Sequence, residues 1–396
     1  MKKLIILATL LLPITAYTQG GNTGMGEERT EFESIAKRLF KLEKKSNAFN
    51  LYINYAGSFT SQNGDESAFS GWQSAFRARD LRLEIKGELT DAIYYRFRQK
   101  LNRANAPGSL DNYSPATDFM MVGLKLGDHF AIEGGKICQH WGGFDYDENP
   151  LYIYQYSDFL DRIDIFFAGV AFYWRPSATQ EFVFEATNPL TSTFEDTYGP
   201  EVYVTGSNLT ELTRIYGARH PINLLVNWNG SFLDGKVLTR FAVGGMSQTD
   251  KLRSKIASGG IKFNFPKLQW YIDYMIEKDD MDRLGIATED FGLSAGKRVG
   301  NVSYTSLIAK AFWQFSPDWN LVAKGSYDTV GAEAAGKYRK SLMGVCSLEY
   351  YPEALQDFRI FLAGTAHKLI FSDTSGLEPF GTLRLETGII YRIKCY

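Results

Sequence analysis

The stretch DLRLEIKGELTDAIYYRFRQKLNR, residues 80–103, alternates almost strictly between apolar and charged side chains. One parity carries Leu81, Leu83 and Ile85, and the other carries Arg82, Glu84 and Lys86. Because successive side chains of a strand point to opposite faces, this period predicts a hairpin with one apolar and one charged face. Two architectures use such a hairpin. In a soluble sandwich the apolar face is covered, whereas in a transmembrane barrel it meets lipid and the charged face lines a lumen.

The connections between strands decide between these architectures. We predict strands at 49–59, 75–88, 92–103, 117–127, 129–139, 166–175, 180–187, 221–232, 236–247, 256–265, 267–277, 301–315, 318–328, 340–351, 356–370 and 380–394. Short turns alternate with long polar loops along this whole series, as in transmembrane barrels with periplasmic turns and external loops. The sequence therefore predicts an all-β fold, a transmembrane antiparallel β-barrel of about 16 strands over residues 48–396, with a short helix before it.

The N-terminus predicts export. Met1, Lys2 and Lys3 form a short positive region, residues 4–14 are apolar, and small and polar residues follow. This order is typical of a secretory signal peptide, which we assign to residues 1–18. The apolar run is too short for a mature membrane helix, and no later run of 18 apolar residues occurs. Together with the predicted barrel, the export signal predicts that the chain lies in the bacterial outer membrane.

Residues 19–47 form a linker followed by a short helix. In residues 30–45 the apolar positions Phe32, Ile35, Leu39 and Leu42 step by three, four and three, which is a coiled-coil seam. Two heptads are too short to be stable alone. The segment therefore either self-associates as a periplasmic coiled coil or packs on a neighbouring surface.

Composition and motifs argue against other classes of function. The formal net charge of −2 gives no global basic field for nucleic acid. Three widely spaced cysteines and four scattered histidines show no metal-ligand spacing. The sequence GLSAG at 292–296 matches a nucleophile elbow, but it lies in a loop of an all-β chain and lacks the strand–turn–helix context. We expect no catalytic residues, no metal and no cofactor.

The charged face of the opening hairpin predicts the pore wall. Its basic residues, Arg82, Lys86, Arg96, Arg98 and Lys100, would form a ladder that concentrates anions. We expect Arg82 to lie near Arg98, and Glu84 between Arg96 and Arg98. The alternative is a wall of neutralised ion pairs, because Glu84 and Glu88 interleave with the bases.

The long loop at 139–165 is the other unusual segment. It is rich in aromatic residues, contains Gly142–Gly143, and carries the carboxylates Asp145, Asp147, Glu148, Asp158 and Asp161. This composition favours folding into the barrel, where the loop would form a constriction with its acids facing the arginine ladder. An ordinary outer loop packed against its neighbours is the alternative.

The hairpin at 81–103, followed by GGKICQHWGGFDYDENPLYIYQYSDF at 134–159, resembles the phosphate-selective porin O and P family in its Bacteroidota form. The resemblance is clearest over about 75–175. It implies a sixteen-stranded, usually trimeric barrel, with the third loop folded into the pore and a basic ladder guiding anions. Some relatives carry an N-terminal periplasmic coiled coil, which residues 30–45 resemble.

These observations predict an outer-membrane porin for passive diffusion of small hydrophilic solutes, with a modest preference for anions, of which phosphate is one candidate. Its partners would be those solutes, outer-membrane lipid and two further copies of the chain in a homotrimer, with no nucleic acid. The alternatives are a barrel transporter for hydrophobic substrates, a barrel enzyme such as a phospholipase, and an adhesin that binds through loop 188–220.

Overall fold

The computed structural model describes residues 48–64, 71–352, 355 and 357–395 of the 396-residue chain. Its strands are β1 (Asn50–Gly64), β2 (Gln73–Glu88), β3 (Ile93–Lys100), β4 (Thr117–Lys125), β5 (Phe130–Cys138), β6 (Phe166–Ser177), β7 (Gln180–Thr187), β8 (Val202–Thr205), β9 (Leu212–Ile215), β10 (Asn223–Phe232), β11 (Val237–Ser247), β12 (Arg253–Asn264), β13 (Leu268–Met281), β14 (Lys297–Arg298), β15 (Gly300–Ser316), β16 (Trp319–Ala332), β17 (Gly336–Tyr350), β18 (Phe358–Phe371) and β19 (Phe380–Lys394). The signal peptide and N-terminal helix predicted from the sequence lie outside the described residues.

Sixteen of these strands form one closed antiparallel barrel, in which β1 pairs with both β2 and β19. The short strands β8, β9 and β14 form a separate three-stranded sheet. The helices are also short: α1 (Asp158–Arg162), α2 (Phe194–Tyr198), α3 (Ile286–Asp290) and single 3-10 turns at Pro150–Tyr152 and Asp373–Ser375. The predicted all-β barrel and its strand number are confirmed. Among the described residues, no helix is both long and apolar enough to cross a membrane.

The predicted strands agree with the structure at their turn ends and are too short at several loop ends. β13 continues to Met281 and β16 to Ala332, and β17 begins at Gly336. The added residues are largely polar or small, so apolar alternation fades there while backbone pairing continues. The strands therefore extend beyond the apolar band on the loop side.

The two faces of the barrel differ as the opening hairpin predicted. Large apolar side chains on the outer face are exposed, including Val122, Leu224 and Leu362. Charged side chains on the inner face are buried, including Glu84 and Arg98. An exposed apolar surface around a charged interior is the reverse of a soluble protein and is typical of a barrel in lipid.

The loop at 139–165 folds into the barrel. Its Trp141, Phe144 and Phe159 are fully buried and belong to one apolar cluster with inward residues of β13 and β15, such as Tyr271 and Tyr304. The turn into this path needs Gly142 and Gly143, which have φ of 82° and 81°. A Cβ on Gly142 would also lie 2.3 Å from Oγ of Ser258 on β12. The two glycines therefore let the loop backbone lie directly on the inner wall.

Candidate functional site

The first part of the infolded loop is attached to β11, β15 and β16 by ion pairs. Nζ of Lys324 lies 2.7 Å from Oδ2 of Asp145, and Nζ of Lys310 lies 2.5 Å from Oε2 of Glu148. Asp147 forms an ion pair with Arg240 of β11. All of these side chains are buried. Three loop carboxylates thus neutralise three cations of the inner wall.

Backbone contacts strengthen this attachment. The amides of Phe144 and Asp145 both donate to Oδ2 of Asp273 on β13, each at 2.7 Å. The hydroxyl of Tyr271 donates to Oδ1 of Asp145 at 2.8 Å. A carboxylate that accepts two backbone N–H groups fixes the position of the loop backbone as well as of its side chains.

The middle of the loop contacts the opposite side of the barrel. Arg384 of β19 donates to the carbonyl oxygen of Tyr154 at 2.7 Å, and Arg79 of β2 donates to that of Leu151 at 3.0 Å. The hydroxyl of Tyr154 donates to Glu349 of β17 at 2.7 Å. The loop therefore spans the interior from β11 to β2.

The last part of the loop returns to the external end of the barrel. Asp158, at the start of α1, lies 2.6 Å from Nη2 of Arg339 and 3.1 Å from Nε2 of His367. Burial alone would raise the pKa of Asp158, but the hydrogen bonds and charges of His367 and Arg339 lower that pKa to about 2. Asp161, on the same helix, is exposed.

The sequence predicts that the loop carboxylates face the arginine ladder, but the structure places them against other strands. Asp145, Asp147 and Glu148 pair with β11, β15 and β16, and Asp158 pairs with β17 and β18. The ladder lies on β2 and β3. The path of the loop after Gly143 brings its acidic part onto β11, β15 and β16 instead.

The predicted ladder lies on the inner face, and its arginines are paired. Cross-strand neighbours are Arg82 with Lys100, Glu84 with Arg98, and Lys86 with Arg96. Arg82, Arg96 and Arg98 are buried, whereas Lys86 and Lys100 are half-buried. Nε of Arg96 donates to Glu84 at 2.9 Å. The hairpin register thus brings Glu84 between Arg96 and Arg98.

Single carboxylates in this region contact two arginines each. Glu84 contacts Arg96 at 2.8 Å and Arg392 at 3.6 Å. Asp118 contacts both Arg82 and Arg98, and Glu386 contacts both Arg79 and Arg384. Asp80 is a second partner of Arg82. We call the six arginines of this network, on β2, β3 and β19, the basic wall: Arg79, Arg82, Arg96, Arg98, Arg384 and Arg392.

Sequence reasoning on the opening hairpin missed half of the basic wall. Arg384 and Arg392 lie on the polar parity of β19, which closes onto β1 beside β2. Arg79 faces inward because a register shift between Ala56 and Gly57 changes the pairing of β2. The alternation of β19 signalled two of these arginines, whereas no local pattern signalled the shift at Arg79.

Carboxylates lie on another part of the inner wall. Glu133 of β5 accepts hydrogen bonds from the hydroxyls of Tyr94 at 2.9 Å and Tyr173 at 2.8 Å. Glu185 of β7 pairs with His140 at 2.5 Å. These carboxylates lie on strands other than those of the basic wall. Within the described part of the chain, no group of three or more His, Cys, Asp or Glu side chains could hold a metal ion.

The attachment of Asp145 predicts a specific pH dependence. Burial raises the pKa of Asp145, but the ammonium groups of Lys324 and Lys310 outweigh it and hold that pKa below its ordinary value. A depressed carboxyl pKa contributes stability that is present above the unfolded pKa of about 3.9 and lost as pH falls through the folded value. The difference in unfolding temperature between wild type and Asp145→Asn should therefore be the same at pH 7 and pH 5, and it should be smaller near pH 3. A difference that disappears already at pH 5 would contradict this attachment.

Comparison with known proteins agrees with this fold. The sequence profile of a family described as phosphate-selective porin O and P matches residues 49–392. No curated protein sequence matches the chain significantly. Similar solved structures include the outer membrane channel DcaP of Acinetobacter baumannii, with a TM-score of 0.59 and 10% identity over 89% of this chain and 99% of that one.

Two other solved barrels are also similar. Salmonella typhi OmpF, in complex with daunomycin, gives a TM-score of 0.54 at 11% identity over 87% of this chain and 97% of that one. The trimer form of Vibrio cholerae OmpT gives 0.52 at 10% identity over 87% and 100%. At these identities the likeness concerns the fold.

Proposed function

The chain belongs to the phosphate-selective porin O and P family and is an outer-membrane porin for passive diffusion of small hydrophilic solutes; we propose that this pore has a modest preference for anions. The family and the barrel are those of a channel rather than of an enzyme. Diffusion through such a pore needs no chemical step, so selectivity comes from the width of the path and the charge along it.

The excess of arginine in the basic wall carries this proposal. Among the described residues, ion pairs of its six arginines converge on four carboxylates, Asp80, Glu84, Asp118 and Glu386. Lys86 and Lys100 of the predicted ladder lie on the same inner face, so cationic side chains outnumber carboxylates among the described residues of this part of the wall. A low-dielectric wall with excess positive charge attracts anions into the lumen. The glutamates on β5 and β7 keep the preference modest.

The charge balance at Glu386 tests this proposal. Glu386→Gln removes the carboxylate that Arg79 and Arg384 share, so the ratio of chloride to potassium permeability should rise about twofold. R79Q/R384Q should lower that ratio by a similar factor. Both are measured as reversal potentials across a potassium chloride gradient in planar bilayers.

Lys340→Gln provides the matched control, because Lys340 is exposed on β17 away from the inner wall. It should leave the reversal potential unchanged. Equal reversal potentials for wild type, E386Q and R79Q/R384Q would remove the basic wall from the selectivity mechanism.

We also infer a homotrimer and a phosphate component of the anion preference. The family description names phosphate, and the likeness to the trimer form of OmpT supports a trimeric assembly. Residues 1–18 are proposed as the signal peptide and 19–47 as a linker and periplasmic helix. The profile match begins at residue 49, which supports the start of the barrel at 48.

A further inference from the structure

A groove lies on the membrane-facing surface of β11, β12 and β13. It encloses about 590 Å³ and is lined almost entirely by apolar groups. Its floor is formed by the small residues Ala257 and Gly259 of β12, and its sides by Phe241, Trp270 and Ile276. The ring of Phe241 lies against Gly259, where an added Cβ would be 2.6 Å from the ring. The volume and apolar lining of the groove suit a hydrocarbon chain.

Two lysines lie directly above this groove. Lys255 and Lys278 are register partners on β12 and β13, one pair above the outward-facing Ala257 and Ile276. Both lysine side chains are exposed on the outer face. Like charges directly opposite each other on a sheet are destabilising, so this pair favours an anionic partner between them.

The surrounding charges leave this position positive. Among the described residues, the charged groups at this rim include Arg253, whose guanidinium donates to the carbonyls of Thr249 and Leu252, and Asp280, which accepts the amide of Arg253. The adjoining turn also exposes Lys251 and Asp250. The carboxylate of Asp250 is paired with Arg219, so Asp280 faces the cations Arg253, Lys255 and Lys278. No carboxylate of the described chain forms an ion pair with Lys255 or Lys278.

The height of the lysines fits a lipid headgroup. Phe263 and Trp270 stack at 4.1 Å near the periplasmic end of the same strands, eight residues from Lys255 and Lys278. With about 3.4 Å per residue and a tilt near 40°, this separation is about 20 Å along the membrane normal. The apolar band of a barrel is about 25 Å tall, so the lysines lie near its external edge.

We propose that β11–β13 form a binding site for a phosphate-bearing lipid of the surrounding membrane. The phosphate lies between the ammonium groups of Lys255 and Lys278, and one acyl chain fills the groove over Ala257 and Gly259. Juxtamembrane lysines attract anionic headgroups, and the groove adds apolar contact that a free phosphate ion cannot make. The site rests on the membrane-spanning barrel and not on the anion preference of the lumen.

Native mass spectrometry of the full-length protein in detergent tests this site. The probes are dioleoylphosphatidic acid and dioleoylphosphatidylcholine, which have the same acyl chains. Wild type should retain the phosphatidic acid preferentially, and K255Q/K278Q should lower its retention about tenfold. Ala257→Trp, which fills the groove from the outside, should lower retention of both lipids. Excess inorganic phosphate should not displace the bound phosphatidic acid.

The matched control is K340Q/K368Q, which removes two exposed lysines from β17 and β18, away from the groove. This variant should retain lipid like wild type. Unchanged retention by K255Q/K278Q, equal loss in the control, or displacement by inorganic phosphate would overturn the site. A changed oligomer size of Ala257→Trp with unchanged lipid retention would assign the groove to protein contact and would also overturn it.

Discussion

Replacing Lys310 and Lys324 with methionine should release the infolded loop and raise single-channel conductance about twofold, with frequent transitions between levels. Methionine keeps the apolar part of each side chain but leaves Glu148 and Asp145 buried without their ammonium partners. Breaking a buried ion pair in this way costs about 3–5 kcal/mol. The loop can avoid that cost by leaving the wall, because the barrel strands do not depend on it for backbone pairing. Single-channel recording in planar bilayers measures the effect.

The quadruple variant K310M/K324M/D145N/E148Q is the control for this prediction. It removes the charge of both partners, so no uncompensated carboxylate remains and the steady current should largely return. A steady, wild-type conductance in K310M/K324M would show that these ion pairs do not hold the loop.

Glu84→Gln should destabilise the barrel by about 3–5 kcal/mol, the cost of removing one partner from a buried ion pair. Glu84 is fully buried and contacts Arg96, Arg392 and the amide of Asn54. Glutamine keeps the shape but supplies no charge to two buried guanidinium groups. Urea unfolding of the refolded protein in detergent, followed by the heat-dependent gel mobility of the barrel, measures the loss.

Glu88→Gln offers a matched comparison on the same strand and face. Its ion pair with Lys125 spans 3.2 Å, but the Glu88 side chain is 38% exposed. Exposed pairs contribute at most about 1 kcal/mol, so this variant should unfold close to wild type. Equal urea midpoints for E84Q and E88Q would contradict the stabilising role of the shared carboxylate.

The architecture of the barrel could be predicted because its signals are local. Period-two alternation at 80–103 fixes which residues face lipid, and the tight turn after Leu89 fixes the hairpin register that places Glu84 opposite Arg98. The alternation of short and long connections then distinguishes a transmembrane barrel from a sandwich. The first two signals can be read within a few neighbouring residues, and the third can be read from the spacing of the strands along the chain.

The partners of the charged side chains could not be predicted in the same way. Glu84 contacts Arg392 only because β19 closes the barrel onto β1, and Arg79 faces inward only because of a register shift. The loop carboxylates were expected opposite the ladder, but Gly142 and Gly143 direct Asp145 towards Lys324. These contacts depend on the closure of the barrel and on the path of one loop. Neither can be inferred from the spacing of residues in the sequence.

The reversal potential of the wild-type protein tests the central claim most directly. A single protein reconstituted in a planar bilayer, with a tenfold gradient of potassium chloride, should give ohmic steps and a reversal potential of the sign set by chloride. Adding phosphate to the dilute side should lower the chloride current by competition for the basic wall. Absence of conductance, or a reversal potential of the sign set by potassium, would contradict a pore with excess positive charge.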